Sequence, residues 1–176
     1  MSHLKIFLIL LIFFSLNNFK SLCQGKYLYK FDGVEIDFPR KPFRDTTTFD
    51  GESKLKIVFG VDSISNYYLG IEYMVNGHLP DSTNLQGRND FLNGFVDSYI
   101  VHYQGEIISK RYIMLDDLKG VQYNIKGKFG QRRISVILRV FIKNQRMIFC
   151  QHLNLETHDL VVKERQNSFL NSLRIK

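Results

Sequence analysis

The stretch QRRISVILRVFIKNQRMIFCQHL, from Gln131 to Leu153, decides the fold of this chain. Its first half alternates two sets of side chains, and this period of two, rich in β-branched residues, predicts a strand. Asn144-Gln145 interrupts the alternation, and a second apolar run follows at once. If these two residues form the turn of a hairpin, apolar residues face each other along one side. The expected pairs are Ile142 with Met147, Val140 with Phe149 and Val136 with Leu153.

The opposite side of this hairpin is mixed in character, because it carries Arg139, Phe141, Cys150 and His152. Two long strands with one fully apolar face need a covering layer, since exposed apolar area of that size is unfavourable in water. The sequence offers two helical segments for that role.

The first helical segment follows Pro80, where Asp81 or Ser82 is expected to cap a helix whose apolar stripe runs from Leu85 to Tyr103. Gly105 ends it. The second follows the hairpin, with Thr157 or Asp159 as its expected cap. Its apolar residues are Leu160, Val161, Phe169, Leu170 and Leu173.

Strands are predicted before, between and within these segments, with hairpin turns expected at Asp32-Gly33 and Asp50-Gly51. The order of strands, helix, strands and helix predicts an α+β fold: an antiparallel sheet of about seven to eight strands with two helices packed on it. The predicted strands are 26–31, 34–38, 43–49, 54–61, 68–75, Glu106–Leu115, Gly120–Lys128 and the two arms of the hairpin.

The N-terminus is typical of a secretory signal peptide. Lys5 precedes the apolar run Ile6–Phe14, which is too short to span a bilayer comfortably. Cleavage is expected after Cys23, so that residues 1–23 are removed and residues 24–176 form a single exported domain, periplasmic or secreted. Cleavage after Gly25 is an alternative. An alternative is a lipoprotein in which Cys23 is acylated. In the cleaved form Cys150 is the remaining thiol, and a buried, inert role is predicted for it.

Four short motifs resemble the PsbP-like family, which is named for an accessory protein of photosystem II and includes exported bacterial proteins. The resemblance implies an α/β/α sandwich. It also implies a protein that binds or assists other macromolecules, without catalytic residues shared across the family. The motifs lie in Val34–Pro39, Tyr68–Met74, Lys119–Tyr123 and Phe169–Leu173.

The sequence gives little support for an enzyme, because it lacks the common catalytic and cofactor-binding motifs. The sequence has no Gly-x-Ser-x-Gly elbow and no phosphate-binding glycine loop. Cys150 and His152, two apart on a strand, lie too far apart for a tight hydrogen bond. A metal site from His152, Glu156, His158 and Asp159 matches no familiar ligand spacing. We therefore predict no enzyme, no cofactor and no metal.

The best candidate binding residues lie in the basic connection before the central hairpin. They could dock on a phospholipid, glycan or acidic protein surface. The alternative interpretation is a solvated hairpin tip, whose charges protect the edge of the sheet from aggregation. The candidate residues are Lys126, Lys128, Phe129, Arg132 and Arg133.

Three functional hypotheses follow. The first is an exported, non-enzymatic binding or accessory domain whose partner is an unknown protein or envelope surface, with possible peripheral membrane contact and no nucleic acid. The second is a carrier of a small apolar ligand or lipid, suggested by the abundance of Phe and Tyr, 15 and 9 residues. The third is a hydrolase without a recognised motif.

Overall fold

The computed structural model describes residues 26–49, 53–61, 65–74, 79, 84–155 and 160–176. Within these ranges the chain forms ten strands and two helices. The predicted order of strands, helix, strands and helix is observed, and one further short strand follows the last helix. The strands are β1 (Tyr27–Phe31), β2 (Val34–Phe38), β3 (Arg44–Phe49), β4 (Ser53–Val61), β5 (Ser65–Met74), β6 (Glu106–Leu115), β7 (Leu118–Phe129), β8 (Arg132–Lys143), β9 (Arg146–Leu155) and β10 (Arg174–Ile175). The helices are α1 (Leu85–His102) and α2 (Leu160–Asn171).

The predicted central hairpin is β8–β9, and its register is confirmed. Ile142 pairs with Met147, Val140 with Phe149 and Val136 with Leu153. Asn144 and Gln145 both adopt positive φ angles, 50° and 58°, which is the geometry of the two-residue turn that matches the twist of a hairpin. The hairpin lies inside an antiparallel sheet of seven strands, ordered β3-β4-β5-β9-β8-β7-β6.

The first hairpin does not join this large sheet. β1 and β2 pair with each other at Asp32-Gly33, as predicted, but β10 pairs with the other side of β2 to give a separate three-stranded sheet. β10 was not predicted, because two residues are too few to show a period. Ile175 reaches Val34 in this pairing, so the C-terminus closes against the start of β2.

A core packs against each face of the large sheet, which produces the three layers of the predicted sandwich. On one face α1 packs on the apolar side of the hairpin, where the Phe95 ring lies 5.3 Å from the Phe149 ring. On the other face lie α2 and the small sheet, with Phe38 and Phe169 5.2 Å apart. The hairpin side that is mixed in sequence faces this second core, so Cys150 is fully buried there.

The N-terminal cap of α1 differs from the prediction. Asn84, not Asp81 or Ser82, caps the helix, and its side-chain oxygen accepts a hydrogen bond of 2.8 Å from the Gly87 N–H. Asn is as good a cap as Asp or Ser, so the local pattern alone does not choose among them. The expected turn at Asp50-Gly51 and the expected caps Thr157 and Asp159 lie outside the described residues.

No helix in the described ranges is both long and apolar enough to cross a membrane.

Candidate functional site

The candidate site is the part of the large sheet that α2 leaves uncovered. α2 lies over β9, where Cys150 and His152 are fully buried. On the same face of β7 and β8, Lys126 and Arg133 are exposed. A strip across β6, β7 and β8 therefore extends beyond α2, and the described residues cover it only in part.

The structure splits the predicted basic connection between the two faces of the sheet. Lys128 pairs with Arg133, and Lys126 lies two residues further along the same face, toward α2. Phe129 pairs with Arg132 on the face toward α1. The half-buried Phe129 packs there against the α1-side core, with its ring 6.0 Å from that of His102. Phe129 and Arg132 therefore lie on the opposite face of the sheet from the other three candidates.

Two arginines that were not predicted as binding residues belong to the same strip. Arg111 of β6 and Arg139 of β8 lie on either side of Gln122 of β7. Both donate to the Gln122 side-chain oxygen, Arg111 from Nη2 at 3.2 Å and Arg139 from Nε at 2.9 Å. Gln122 is only 3% exposed, so the arginines cover it.

This arrangement is held by a chain of hydrogen bonds that begins at the end of α2. The Arg139 Nη1 donates to the Leu170 carbonyl at 2.7 Å and to the Asn171 side chain at 3.0 Å. Carbonyls in the last turn of a helix lack partners within the helix and carry partial negative charge, so a cation is favourable there. At the other end, Gln122 donates to Asn124, which donates to Ser109 of β6.

We name as the basic face the cations on this strip: Arg111, Lys126, Lys128, Arg133 and Arg139. Among the described residues of β6, β7 and β8, Glu106 is the one carboxylate at a register position on it, beside Lys126. The carboxylates Asp32, Asp45 and Glu35 form their ion pairs elsewhere.

The positions of two cations of the basic face could be predicted from the sequence. Arg133 and Arg139 have the same parity in β8, so they had to share a face. Arg111 could not be placed in this way. The pairing of β6 with β7 shifts between Ile107 and Ser109, and this irregularity sets which β6 side chains face α2.

Cys150 and His152 do not form a catalytic pair of the kind a cysteine hydrolase uses. Burial raises the pKa of the Cys150 thiol to about 12, so the thiolate that would act as nucleophile is not formed at neutral pH. His152 is also fully buried, and its Nδ1 lies 2.9 Å from the Gln166 side-chain nitrogen.

Cys150→Ala is expected to lower the free energy of unfolding by about 1–2 kcal/mol, as a small truncation in a buried site, and to leave binding unchanged. In a Cys23→Ser background, Cys150 should react with a thiol reagent only after unfolding. Equilibrium denaturation and labelling of the native protein test both points. Rapid labelling of the folded protein, or loss of binding at unchanged stability, would contradict the inert role.

The described residues contain no group of three or more His, Cys, Asp or Glu side chains placed to hold a metal ion. Three of the four residues considered as metal ligands from the sequence, Glu156, His158 and Asp159, lie outside these residues.

A cleft of about 170 Å³ lies between β2 and α2. It is smaller than typical ligand pockets, which hold roughly 300–1,000 Å³, and three of its lining residues are cations. They are Lys26, Arg40 and Arg165.

The sheet order, the small second sheet and the helix on each face define a PsbP-like α+β fold, as the sequence resemblance implied. No family model matches the chain, and no curated protein matches it. Among solved structures, it is similar to cyanobacterial PsbP from Synechocystis sp. PCC 6803. The TM-score is 0.62 at 13% identity, over 92% of this chain and 99% of that one. At this identity the likeness shows the fold alone.

A protein of unknown function from Pseudomonas aeruginosa also matches, with a TM-score of 0.42 and 7% identity over 74% of this chain and 83% of that one. With a TM-score below 0.5, this second match gives no information about the fold or function of this chain.

Proposed function

We propose that the protein is an exported, non-enzymatic accessory domain that docks through its basic face on an acidic protein surface. Export is supported by Lys5 and the apolar run Ile6–Phe14, and the accessory role by the PsbP-like fold. The observation that carries the proposal is the basic face itself. It gathers five cations from three strands, and Arg111, Lys126, Lys128 and Arg133 among them are exposed.

The composition of this face favours an acidic protein over a lipid surface. Peripheral binding to membranes commonly combines cations with apolar side chains that enter the bilayer interface. Phe129, which could have done so, packs on the opposite side of the sheet. Between the cations lie the half-buried Ile137 and three polar residues, Gln122, Asn124 and Ser109, which already form an ordered hydrogen-bond network. Ordered polar groups beside cations suit a protein surface of complementary charge.

Charge reversal on this face is the test, with poly-L-glutamate as an acidic polypeptide probe. Lys128→Glu/Arg133→Glu should weaken binding by at least about tenfold. The reason is that each exposed cation contributes about 1 kcal/mol near an anionic surface, and 1.4 kcal/mol is a factor of ten. Binding of the unmodified protein should fall with added salt, because exposed charges are screened. Titration calorimetry at two salt concentrations measures both effects.

The matched control is Lys119→Glu/Arg132→Glu, which makes the same two reversals on β7 and β8 but on the face toward α1. It should bind poly-L-glutamate more tightly than the Lys128/Arg133 variant does. Equal losses in both variants would mean that only net charge matters, and the proposed face would be wrong. Binding to phosphatidylglycerol vesicles without binding to poly-L-glutamate would replace the acidic protein with a membrane.

A further inference from the structure

We propose that Arg111 and Arg139 form a binding site for a single phosphate group on the sheet surface. The basic face explains attraction to an extended acidic partner, whereas this site binds one small oxyanion at a defined position. The proposal does not depend on docking, since the isolated domain carries both arginines and the residues that orient them.

The two guanidinium groups are brought together at one neutral side chain. Their nitrogens lie 3.2 and 2.9 Å from the same oxygen of Gln122, so two positive charges share one neutral acceptor. In the part of the chain that the structure describes, neither arginine forms an ion pair with a carboxylate. Bringing like charges together without compensation is unfavourable, and a bound anion would offset the repulsion.

Both arginines keep donors for such an anion. A guanidinium has five N–H bonds. Arg139 directs three of them to Gln122, Leu170 and Asn171, which leaves the two bonds of Nη2. Arg111 directs one to Gln122, which leaves four. No described residue accepts from these remaining bonds.

The number and spread of these donors favour a phosphate group over a carboxylate. One arginine already satisfies a carboxylate through two parallel hydrogen bonds. Two arginines on strands that lie on either side of β7 present donors from two directions, which matches an anion with three or four oxygens and a charge near two. Their Cα atoms lie two strand spacings apart, about 9.6 Å, so both long side chains can reach an anion between them.

A purely structural role explains only half of this arrangement. Arg139 binds the carbonyl of Leu170 and so stabilises the end of α2. Burial lowers the pKa of Arg139, and the charge of Arg111 is a further cause in the same direction. Arg111 is exposed, and its hydrogen bond among the described residues goes to Gln122 and not to α2. The Arg111 guanidinium nevertheless donates to the same Gln122 oxygen as Arg139 does. Two cations placed side by side are what a site for a doubly charged anion needs.

The orienting residues strengthen this assignment. Gln122 is fixed by its own hydrogen bond to Asn124 at 3.2 Å, and Asn124 by the hydroxyl of Ser109 at 2.7 Å. The acceptor that holds both guanidinium groups is therefore itself held. A preorganised pair loses less side-chain entropy on binding than two mobile arginines would.

Titration of the full domain with inorganic phosphate, in a buffer low in other anions, tests the site. The side-chain Nε–Hε signals of Arg111 and Arg139 should shift together in NMR spectra as phosphate is added. Acetate at matched ionic strength should bind at least about tenfold more weakly, because it offers two oxygens and one charge. No shift of either signal with phosphate, or equal affinity for acetate, would overturn the proposal.

Arg111→Gln is the diagnostic variant, because Arg111 is exposed and its removal leaves the α2 contacts of Arg139 in place. It should weaken phosphate binding at least about tenfold at an unchanged melting temperature. Arg111→Lys should recover only part, since an ammonium group lacks the planar fork. Lys119→Gln removes a cation from the opposite face and should leave phosphate binding unchanged. Equal weakening by Lys119→Gln would reduce the effect to net charge and overturn the site.

The site and the docking surface fail independently. Lys128 lies six residues along β7 from Gln122, about 20 Å, which exceeds the Debye length of about 10 Å at 0.1 M salt. The Lys128→Glu/Arg133→Glu variant should therefore keep phosphate binding at that salt concentration while it loses poly-L-glutamate. Unchanged phosphate binding in this variant would support the site, even where poly-L-glutamate binding is lost. Loss of phosphate binding in the same variant would contradict the site.

Discussion

Phe38→Ala is expected to lower the free energy of unfolding by about 3–5 kcal/mol, the usual cost of removing a buried phenyl ring. Phe38 is fully buried at the end of β2 and joins the small sheet to the rest of the protein. Its ring lies 5.2 Å from Phe169 of α2 and 6.3 Å from Tyr29 of β1. The ring also occupies the space that a side chain at Gly60 of β4 would need. Removing it leaves a cavity where the small sheet, α2 and the large sheet meet.

Phe49→Ala is the matched control, because it removes the same side chain from β3, where Phe49 is 67% exposed. Its effect should remain within about 0.5 kcal/mol. Urea denaturation followed by circular dichroism measures both variants. A loss below about 1 kcal/mol for Phe38→Ala would show that the small sheet does not depend on this ring.

Gly70→Ala is expected to lower the free energy of unfolding by about 1–3 kcal/mol, the usual cost of overpacking a core. Gly70 pairs with Phe149 across β5 and β9, and a Cβ at this glycine would overlap the Phe149 ring. The ring cannot move away freely, since it also contacts Phe95 of α1. Adding Phe149→Leu should recover part of the loss, so that the two changes are not additive.

Gly94→Ala is the control for this prediction and should have the opposite sign. Gly94 lies inside α1, and nothing lies within 4 Å of a Cβ placed there. Alanine favours a helix over glycine by about 1 kcal/mol, so this variant should be stabilised. Both glycine variants are compared by thermal and urea denaturation. A neutral Gly70→Ala, or additivity with Phe149→Leu, would contradict the steric account.

The position of α2 links the stability of the fold to the candidate site. This helix buries Phe169 and Leu170 against the second core, and its last turn receives the hydrogen bonds of Arg139. The helix thus holds one of the two arginines, while Arg111 of β6 and the cations at the far ends of β7 and β8 stay exposed. Packing of the core and orientation of the site depend on the same element.

The sequence by itself determined the central hairpin and its register. A period of two assigns every side chain of a strand to one face, and a short turn aligns the two strands, so both facts are local. For the same reason the pairing of Ile142 with Met147 could be predicted. The local pattern also placed both helices and the hairpin at Asp32-Gly33.

Only the tertiary structure decided which strands became neighbours and which face stayed open. β9 lies between β8 and β5, and β10 closes the small sheet from the far end of the chain. Such pairings join distant segments, and no local period encodes them. Arg111, Gln122 and Arg139 meet for this reason: they come from three strands, and the irregularity in β6 sets the facing of Arg111. The period of two within each strand fixes the face on which each side chain lies. The convergence of the three side chains follows from strand order, register and the position of α2.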